Sequence, residues 1–279
     1  MIIRVWGSRG SIAVSGKQFN RYGGDTTCIE VVSNTGDLII IDAGTGIRNL
    51  GNRVVSENIK KINLLLTHAH WDHLSGFPFF KPIYKKDSEI RIYGPQPTQD
   101  SLKSIISKTM SSPYFPIELE DINADISFLG MGHKNYAIGS VKISTIPLSH
   151  PNQGVGYKLE EDGKTFVFLT DNELTHHHPF GLGYADYAKF SKGADLLFHD
   201  AEYSREEYKE TVGWGHSVYL DTLNLALDAG VKALGLFHLN QERTDDEVDR
   251  IQAECRKIVA ERGSKMECFA VATGMEFKL

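Results

Sequence analysis

Short apolar runs bounded by Gly, Asn or Asp dominate the first two thirds of the chain. Residues 2–5, 28–32, 38–41, 62–66, 90–93, 141–146, 155–159 and 165–169 are rich in β-branched or aromatic side chains, and each predicts a strand. Three later runs, 195–198, 233–238 and 268–271, alternate with segments of helical period. Thr244 and Glu247 have the spacing of a capping box. Val248, Ile251, Cys255, Ile258 and Val259 then share one face, and Gly263 follows, which predicts a helix between Thr244 and Gly263. A second helix is expected from about Ser217 to Ala229, stopped by Gly230. Strands early and βα units later predict an α/β sandwich, with sheets packed together and helices outside. No Pro- or Ser-rich linker divides the chain, so residues 1–279 are expected to form one domain. The least patterned stretch, 94–135, is expected to be an insertion or lid.

Composition narrows the class. Of 279 residues, 41% are hydrophobic and 24% charged, an ordinary globular balance. A net charge of −6 argues against stable binding to DNA or another long polyanion. Cys28, Cys255 and Cys268 are odd in number and scattered, with neither disulfide-framework nor zinc-finger spacing, which suggests a reducing cytoplasm. The opening residues do not read as a signal peptide, and no window approaches the ~20 apolar residues of a membrane span. The eleven histidines stand out, because many fall in short clusters.

The strongest chemical signal is Thr67-His68-Ala69-His70-Trp71-Asp72-His73, directly after the strand predicted at 62–66. Imidazole and carboxylate are good ligands for Zn²⁺ and similar ions. His68 and His70 alternate, so on an extended segment they point to one side and can share an ion. Asp72 and His73 lie beyond the turn and can reach a second.

This motif resembles the metallo-β-lactamase superfamily. The resemblance implies a four-layer αβ/βα sandwich with two divalent metal ions at one edge of two facing sheets. It also implies the remaining ligands, each after a predicted strand: His150 for the first site, Asp171 bridging both sites, and His238 for the second. The first set would be His68, His70, His150 and Asp171; the second would be Asp72, His73, Asp171 and His238. Two ions ~3.5–4 Å apart lower the pKa of water and stabilise charge building on a substrate. Asp42, in a segment resembling the family's D-x-G, is either an acceptor that fixes the tautomer of a ligand histidine or a simple turn residue.

Ligand types and neighbouring motifs point to a branch. An Asp at 171, where some true β-lactamases carry Cys, and a His at 70, where flavodiiron proteins carry Glu, disfavour both. Glyoxalase II enzymes share the ligands but usually lack the next feature. His199-Asp200-Ala201-Glu202 followed by Gly215-His216-Ser217 resembles the paired motifs of the tRNase Z and phosphodiesterase branch. The resemblance implies His216 as general acid, opening a helix, and Glu202 as its partner. It leaves His199 as a structural residue. The opening 5–11, then 21–28, and the loop 71–80 resemble bacterial cyclic-nucleotide phosphodiesterases of that branch. The glycines of the opening read as a tight connection rather than a phosphate cradle. Phe77, Phe79, Phe80 and Tyr84 fit a base pocket or the core equally. The His176-His177-His178 run reads as surface loop rather than a third metal site.

The 27 residues 172–198 are too short and too neutral for the basic arm usual in tRNase Z. A two-metal phosphodiesterase of a small substrate, most plausibly a 3′,5′-cyclic nucleotide, is therefore expected. Its catalytic residues would be Asp72, His216 and Glu202. Zn²⁺ suits the first site, with Mn²⁺ or Fe²⁺ as alternatives at the second. The rivals are a tRNA 3′-end endonuclease, a thioester or lactone hydrolase, and a non-catalytic nucleotide sensor. The branch also implies a homodimer.

Overall fold

Leu38-Ile39-Ile40-Ile41 shows how this chain builds its layers. All four side chains are buried, Leu38 and Ile40 in one cluster and Ile39 and Ile41 in another on the opposite face. A strand covered on both faces has no use for alternating polarity, which is why its sequence reads as a continuous apolar run. The computed structural model describes residues 1–95, 99–130 and 136–279. One mixed sheet contains β1 (Ile2–Gly7), β2 (Cys28–Val32), β3 (Leu38–Ile41), β4 (Lys61–Leu65), β5 (Glu89–Gly94) and β6 (Asp125–Gly130). The other contains β7 (Tyr136–Ile138), β8 (Val141–Pro147), β9 (Val155–Glu161), β10 (Lys164–Leu169), β11 (Leu196–Asp200), β12 (Ala233–Phe237) and β13 (Glu267–Ala270). The last strand, β14 (Glu276–Lys278), returns to the edge of the first sheet beside β1. The strand orders are β14-β1-β2-β3-β4-β5-β6 and β13-β12-β11-β10-β9-β8-β7.

The two sheets face each other across a core that joins Ile3, Val31, Ile39 and Ile41 to Tyr157, Phe166, Phe168 and Phe237. Outside the first sheet pack α1 (Ile47–Ser56) and α3 (Gln99–Thr109), through Leu50, Val54, Leu102 and Ile106. Outside the second pack α4 (Tyr184–Phe190), α6 (Tyr219–Ala229) and α7 (Asp245–Glu261), through Tyr187, Leu223, Ala226, Cys255 and Val259. Two short helices, α2 (Trp71–Leu74) and α5 (Arg205–Thr211), sit in the loops. The result is the expected four-layer α/β sandwich. In each sheet β3 to β6 or β10 to β13 run parallel, so their C-terminal ends collect at one edge. That edge is where an open α/β sheet presents its chemistry.

Some local expectations hold and others meet a different outcome. The helix signalled by Thr244 forms, and Glu247 Oε2 accepts from the Thr244 N–H at 2.8 Å. The helix expected from Ser217 begins instead at Tyr219, because Ser217 is tied inward. Its N–H donates to Asp200 Oδ1 (3.0 Å) and its hydroxyl to the Asn172 carbonyl (2.5 Å). His216 therefore precedes α6 rather than opening it. The stretch 94–135, expected as an insertion or lid, supplies α3 and the edge strand β6, which pairs in parallel with β5. Residues 96–98 and 131–135 of that stretch lie outside the described residues. Phe77 and Phe80 join the core and only Phe79 is exposed. The glycine-bearing opening is a tight connection held by the buried Arg9, whose guanidinium donates to the carbonyls of Gly23, Asn240 and Arg243. No helix among the described residues is long and apolar enough to cross a membrane.

Candidate metal centre and catalytic site

Three strands end in residues with a left-handed backbone: Asp42 after β3 (φ 63°), Asp171 beyond β10 (φ 51°) and His238 after β12 (φ 57°). Non-glycine residues pay for this conformation, and such outliers cluster where function requires an abrupt turn. Each turn swings its side chain into the same pocket. His68 and His70 arrive from the loop after β4, Asp72 and His73 from α2, and His150 from the loop after β8.

The seven residues expected to bind metal come together in two sets that share Asp171. His68, His70, His150 and Asp171 each bring a donor atom within 4.8 Å of the others; so do Asp72, His73, Asp171 and His238. Asp171 Oδ2 stands 3.4 Å from both His68 Nε2 and His238 Nε2, and Oδ1 stands 3.3 Å from His73 Nε2. Asp72 Oδ2 is 3.1 Å from His238 Nε2 and 3.2 Å from His73 Nε2. Asp72 also accepts the Ser11 N–H at 2.9 Å, which ties the opening loop to the site.

The outer nitrogens are held by the protein. His73 Nδ1 lies 2.8 Å from Asp42 Oδ2, and Asp42 also accepts from the Thr67 N–H and hydroxyl. His150 Nδ1 faces the Gly215 carbonyl at 3.1 Å, and His238 Nδ1 faces Glu202 Oε2 at 2.9 Å. These partners hold each Nδ1 and direct each Nε2 inward, toward the shared centre. The Nε2 atoms of His68 and His73 are buried without a hydrogen-bond partner, an arrangement that is costly unless something electrophilic sits between them. Burial pushes His68 well down, assisted by the neighbouring His73, and burial takes His150 down to about 3. Burial disfavours the charge on Asp171, but His238, His73 and His68 outweigh it and hold the carboxyl well below its usual range. Burial works against charge on His73 and His238, but Asp72, Asp171 and Asp42 around the first and Asp171, Asp72 and Glu202 around the second overcome it and raise both well above the usual range. Imidazoles and carboxylates converging in this way are a donor set that fits divalent metal ions, whose binding displaces such protons.

Two glycines make this packing possible. A Cβ on Gly10 would lie 2.2 Å from His238 Nδ1, and one on Gly215 (φ 96°) would lie 2.0 Å from His150 Nδ1. The imidazoles occupy that space.

His216 lies beside the second set, its ring stacked on that of His238 with centroids 4.6 Å apart. Its carboxylate partner differs from the expected one. Asp200 Oδ2 is 2.6 Å from His216 Nδ1, whereas Glu202 Oε2 is 3.4 Å away and is the nearer neighbour of His238. Asp200 ends β11 pointing at His216, and Glu202, two residues on, reaches the metal-facing histidine instead. Burial works against protonated His216, but Glu202 and Asp200 overcome it and raise its pKa to about 9. A positively charged imidazolium with a free Nε2–H can donate a proton.

Sequence reasoning overlooked Glu173. This buried carboxylate accepts from Gly213 N (2.7 Å), Gly215 N (2.8 Å) and Tyr208 hydroxyl (2.6 Å), and pairs with His178 Nε2 at 2.7 Å. It therefore shapes the turn whose carbonyl holds His150 and whose next residue is His216. The triple histidine splits accordingly: His178 is buried in this network and His176 and His177 are exposed. His199 is buried behind the site, with Nδ1 2.8 Å from the Asp200 carbonyl and Nε2 3.2 Å from Asn172.

The chain is similar to known proteins. Residues 38–239 match the family model described as a beta-lactamase superfamily domain. The chain is 28% identical to a Ribonuclease Z of Sulfolobus acidocaldarius over 245 residues, 75% of this chain and 81% of the relative. It superposes on the metallo-beta-lactamase fold protein YhfI of Bacillus subtilis with a TM-score of 0.71 at 16% identity, over 99% of this chain and 98% of that one. The short form of human tRNase Z superposes with a TM-score of 0.66 at 16% identity, over 100% and 99%. The chain belongs to the beta-lactamase superfamily, as a metal-dependent hydrolase of metallo-β-lactamase fold in the tRNase Z-like branch.

Proposed function

We propose that this protein is a two-metal phosphodiesterase that acts on RNA as a tRNA 3′-end endonuclease, a reading supported by its similarity to proteins named Ribonuclease Z. The observation that carries it is His216, oriented by Asp200 at 2.6 Å and placed against the second donor set. Breaking the P–O bond of a phosphodiester expels an alkoxide that needs a proton; a thioester expels a thiolate that does not. Similarity over three quarters of the chain to Ribonuclease Z moves the preferred substrate from a cyclic nucleotide to RNA.

His68, His70, His150 and Asp171 would hold one ion and Asp72, His73, Asp171 and His238 the other. Zn²⁺ suits the histidine-rich first set, and Mn²⁺ or Fe²⁺ are alternatives at the second. Bound there, the ions supply Lewis acidity to the phosphoryl group and make water acidic. Asp72 orients the attacking water, His216 delivers the proton from Nε2 to the departing oxygen, and Asp200 accepts from Nδ1–H, orienting the His216 ring and stabilising its imidazolium form. Glu202 steadies His238 and adds to the field that keeps His216 protonated.

A 3′,5′-cyclic nucleotide is the second reading, favoured by residues 172–198. They project no arm: Tyr187 is buried in the core of the second sheet, and the Tyr184 hydroxyl donates to Asp228 on α6 at 2.7 Å. Purified protein tested against precursor tRNA, cyclic mononucleotides and bis-p-nitrophenyl phosphate separates the two. Clean 3′-side cleavage of precursor tRNA is the expected result. Turnover of cyclic nucleotides alone would select the second reading, and thioester hydrolysis alone would reject both. The homodimer implied by the branch predicts a mass in solution of twice the chain, measurable by sedimentation.

A further inference from the structure

A trough leads away from the metal centre between the metal loop and α3. Its near end is lined by His68, His70, Leu102 and Asn152, and its far end by Trp71, Leu74 and Lys108. Ala69 and Ile105 line both ends, so the two adjoin.

The far end has a distinctive chemistry. Trp71 is 67% exposed, although Asp72 and His73 beside it in α2 are buried. An indole left in water at the rim of a reaction centre offers a flat apolar face. Lys108 is exposed and forms no ion pair among the described residues, whereas Lys103 on the same helix is paired with Glu120 at 3.2 Å. The net charge of −6 supplies no general attraction for a polyanion, so affinity for a nucleotide has to come from such local contacts. An aromatic face and an uncommitted cation beside a phosphodiester-cleaving centre are the two elements from which single-stranded nucleic-acid sites are built.

We propose that this trough is a nucleotide subsite, in which Trp71 stacks on the base of the nucleotide joined to the scissile phosphate and Lys108 meets a phosphate of the same strand. The subsite rests on the phosphodiesterase reading for its orientation toward the metal centre. It sets substrate class, because a base-bearing ligand gains what a bare sugar phosphate cannot.

Calorimetric titration of the metal-loaded protein with 5′-AMP and with ribose 5-phosphate tests it without requiring turnover. Stacking contributes about 1–3 kcal/mol per base, so 5′-AMP should bind about 5- to 150-fold more tightly than ribose 5-phosphate. Trp71→Ala should erase that ratio and Trp71→Phe should restore most of it. Lys108→Ala should weaken both ligands by a similar factor and leave the ratio intact. Equal affinities for the two ligands in the unmodified protein, or a ratio that survives Trp71→Ala, would overturn the subsite. Trp71 lies outside the core, and an unchanged thermal midpoint confirms that its variants are folded. Failure of the phosphodiesterase reading shows separately, as absence of cleavage across the substrate panel, while the calorimetric ratio is measured independently.

Discussion

His216 is the residue on which the chemistry depends most. General-acid help is typically worth ~10²–10⁴-fold. His216→Ala should lower kcat by about that factor for a ribose leaving group, and much less for bis-p-nitrophenyl phosphate, whose leaving group departs unaided. Steady-state kinetics on both substrates checks it, and equal losses would reassign His216 to structural support. The geometry further ranks the two carboxylates. Asp200→Asn should show the same leaving-group bias, because Asp200 is the 2.6 Å partner of His216. Glu202→Gln should act mainly on the second metal set through His238, seen as a loss of bound metal in elemental analysis.

Elements matter here for how loops are anchored to them. Glu173 accepts from Gly213 N and Gly215 N in the turn before His216 and also engages Tyr208 and His178, and a Gln there cannot accept from all four. A buried donor left unsatisfied costs about 1–3 kcal/mol. Glu173→Gln should lower the thermal midpoint and reduce kcat together, whereas a purely structural loss would leave kcat of the folded fraction unchanged. At the opposite end of the second sheet, Asp195 ties β10 to the segment before β12. Its carboxylate accepts from the Thr165 N–H at 2.9 Å and from Lys232 Nζ at 2.7 Å. Burial opposes ionisation of Asp195, but Lys232 and the Thr165 N–H prevail and lower its pKa from 3.8. A depressed carboxyl contributes stability above its unfolded pKa and loses it as pH falls through the folded value. The midpoint gap between the unmodified protein and Asp195→Asn should be widest above about pH 4 and close at lower pH, as thermal melts across pH 7 to 2.5 would show.

At the scale of the whole molecule, one carboxylate joins the two sheets' contributions. His68, His73 and Asp72 belong to the first sheet's loops, and His150, Asp171 and His238 to the second's. Asp171→Ala should therefore remove both ions, and Asp72→Ala only the second. Elemental analysis of metal-replete protein should read two ions per chain, falling to none and one. Ligands that bind only the folded state stabilise it by mass action, so chelation should lower the thermal midpoint of the unmodified protein and leave Asp171→Ala almost unaffected.

The amino-acid sequence by itself determined what depends on local pattern. The run Leu38–Ile41 forms the strand its β-branched residues predict, and Thr244 with Glu247 starts a helix, because neighbouring residues set those outcomes. The close spacing of His68, His70, Asp72 and His73 likewise announced metal chemistry without a fold. Strands such as β6, β7 and β14 carried little signal, since an edge strand is chosen by the partner that accepts its hydrogen bonds. The pairing of His216 with Asp200 rather than Glu202 was decided only in three dimensions. Both carboxylates sit within three residues at the end of β11, and their partners, His216 and Ser217 for Asp200 and His238 and Asn240 for Glu202, come from distant segments. Glu173 was illegible for the same reason. Its partners are 5, 35, 40 and 42 residues away, and only the folding of the connections between β10 and β12 brings them to one carboxylate.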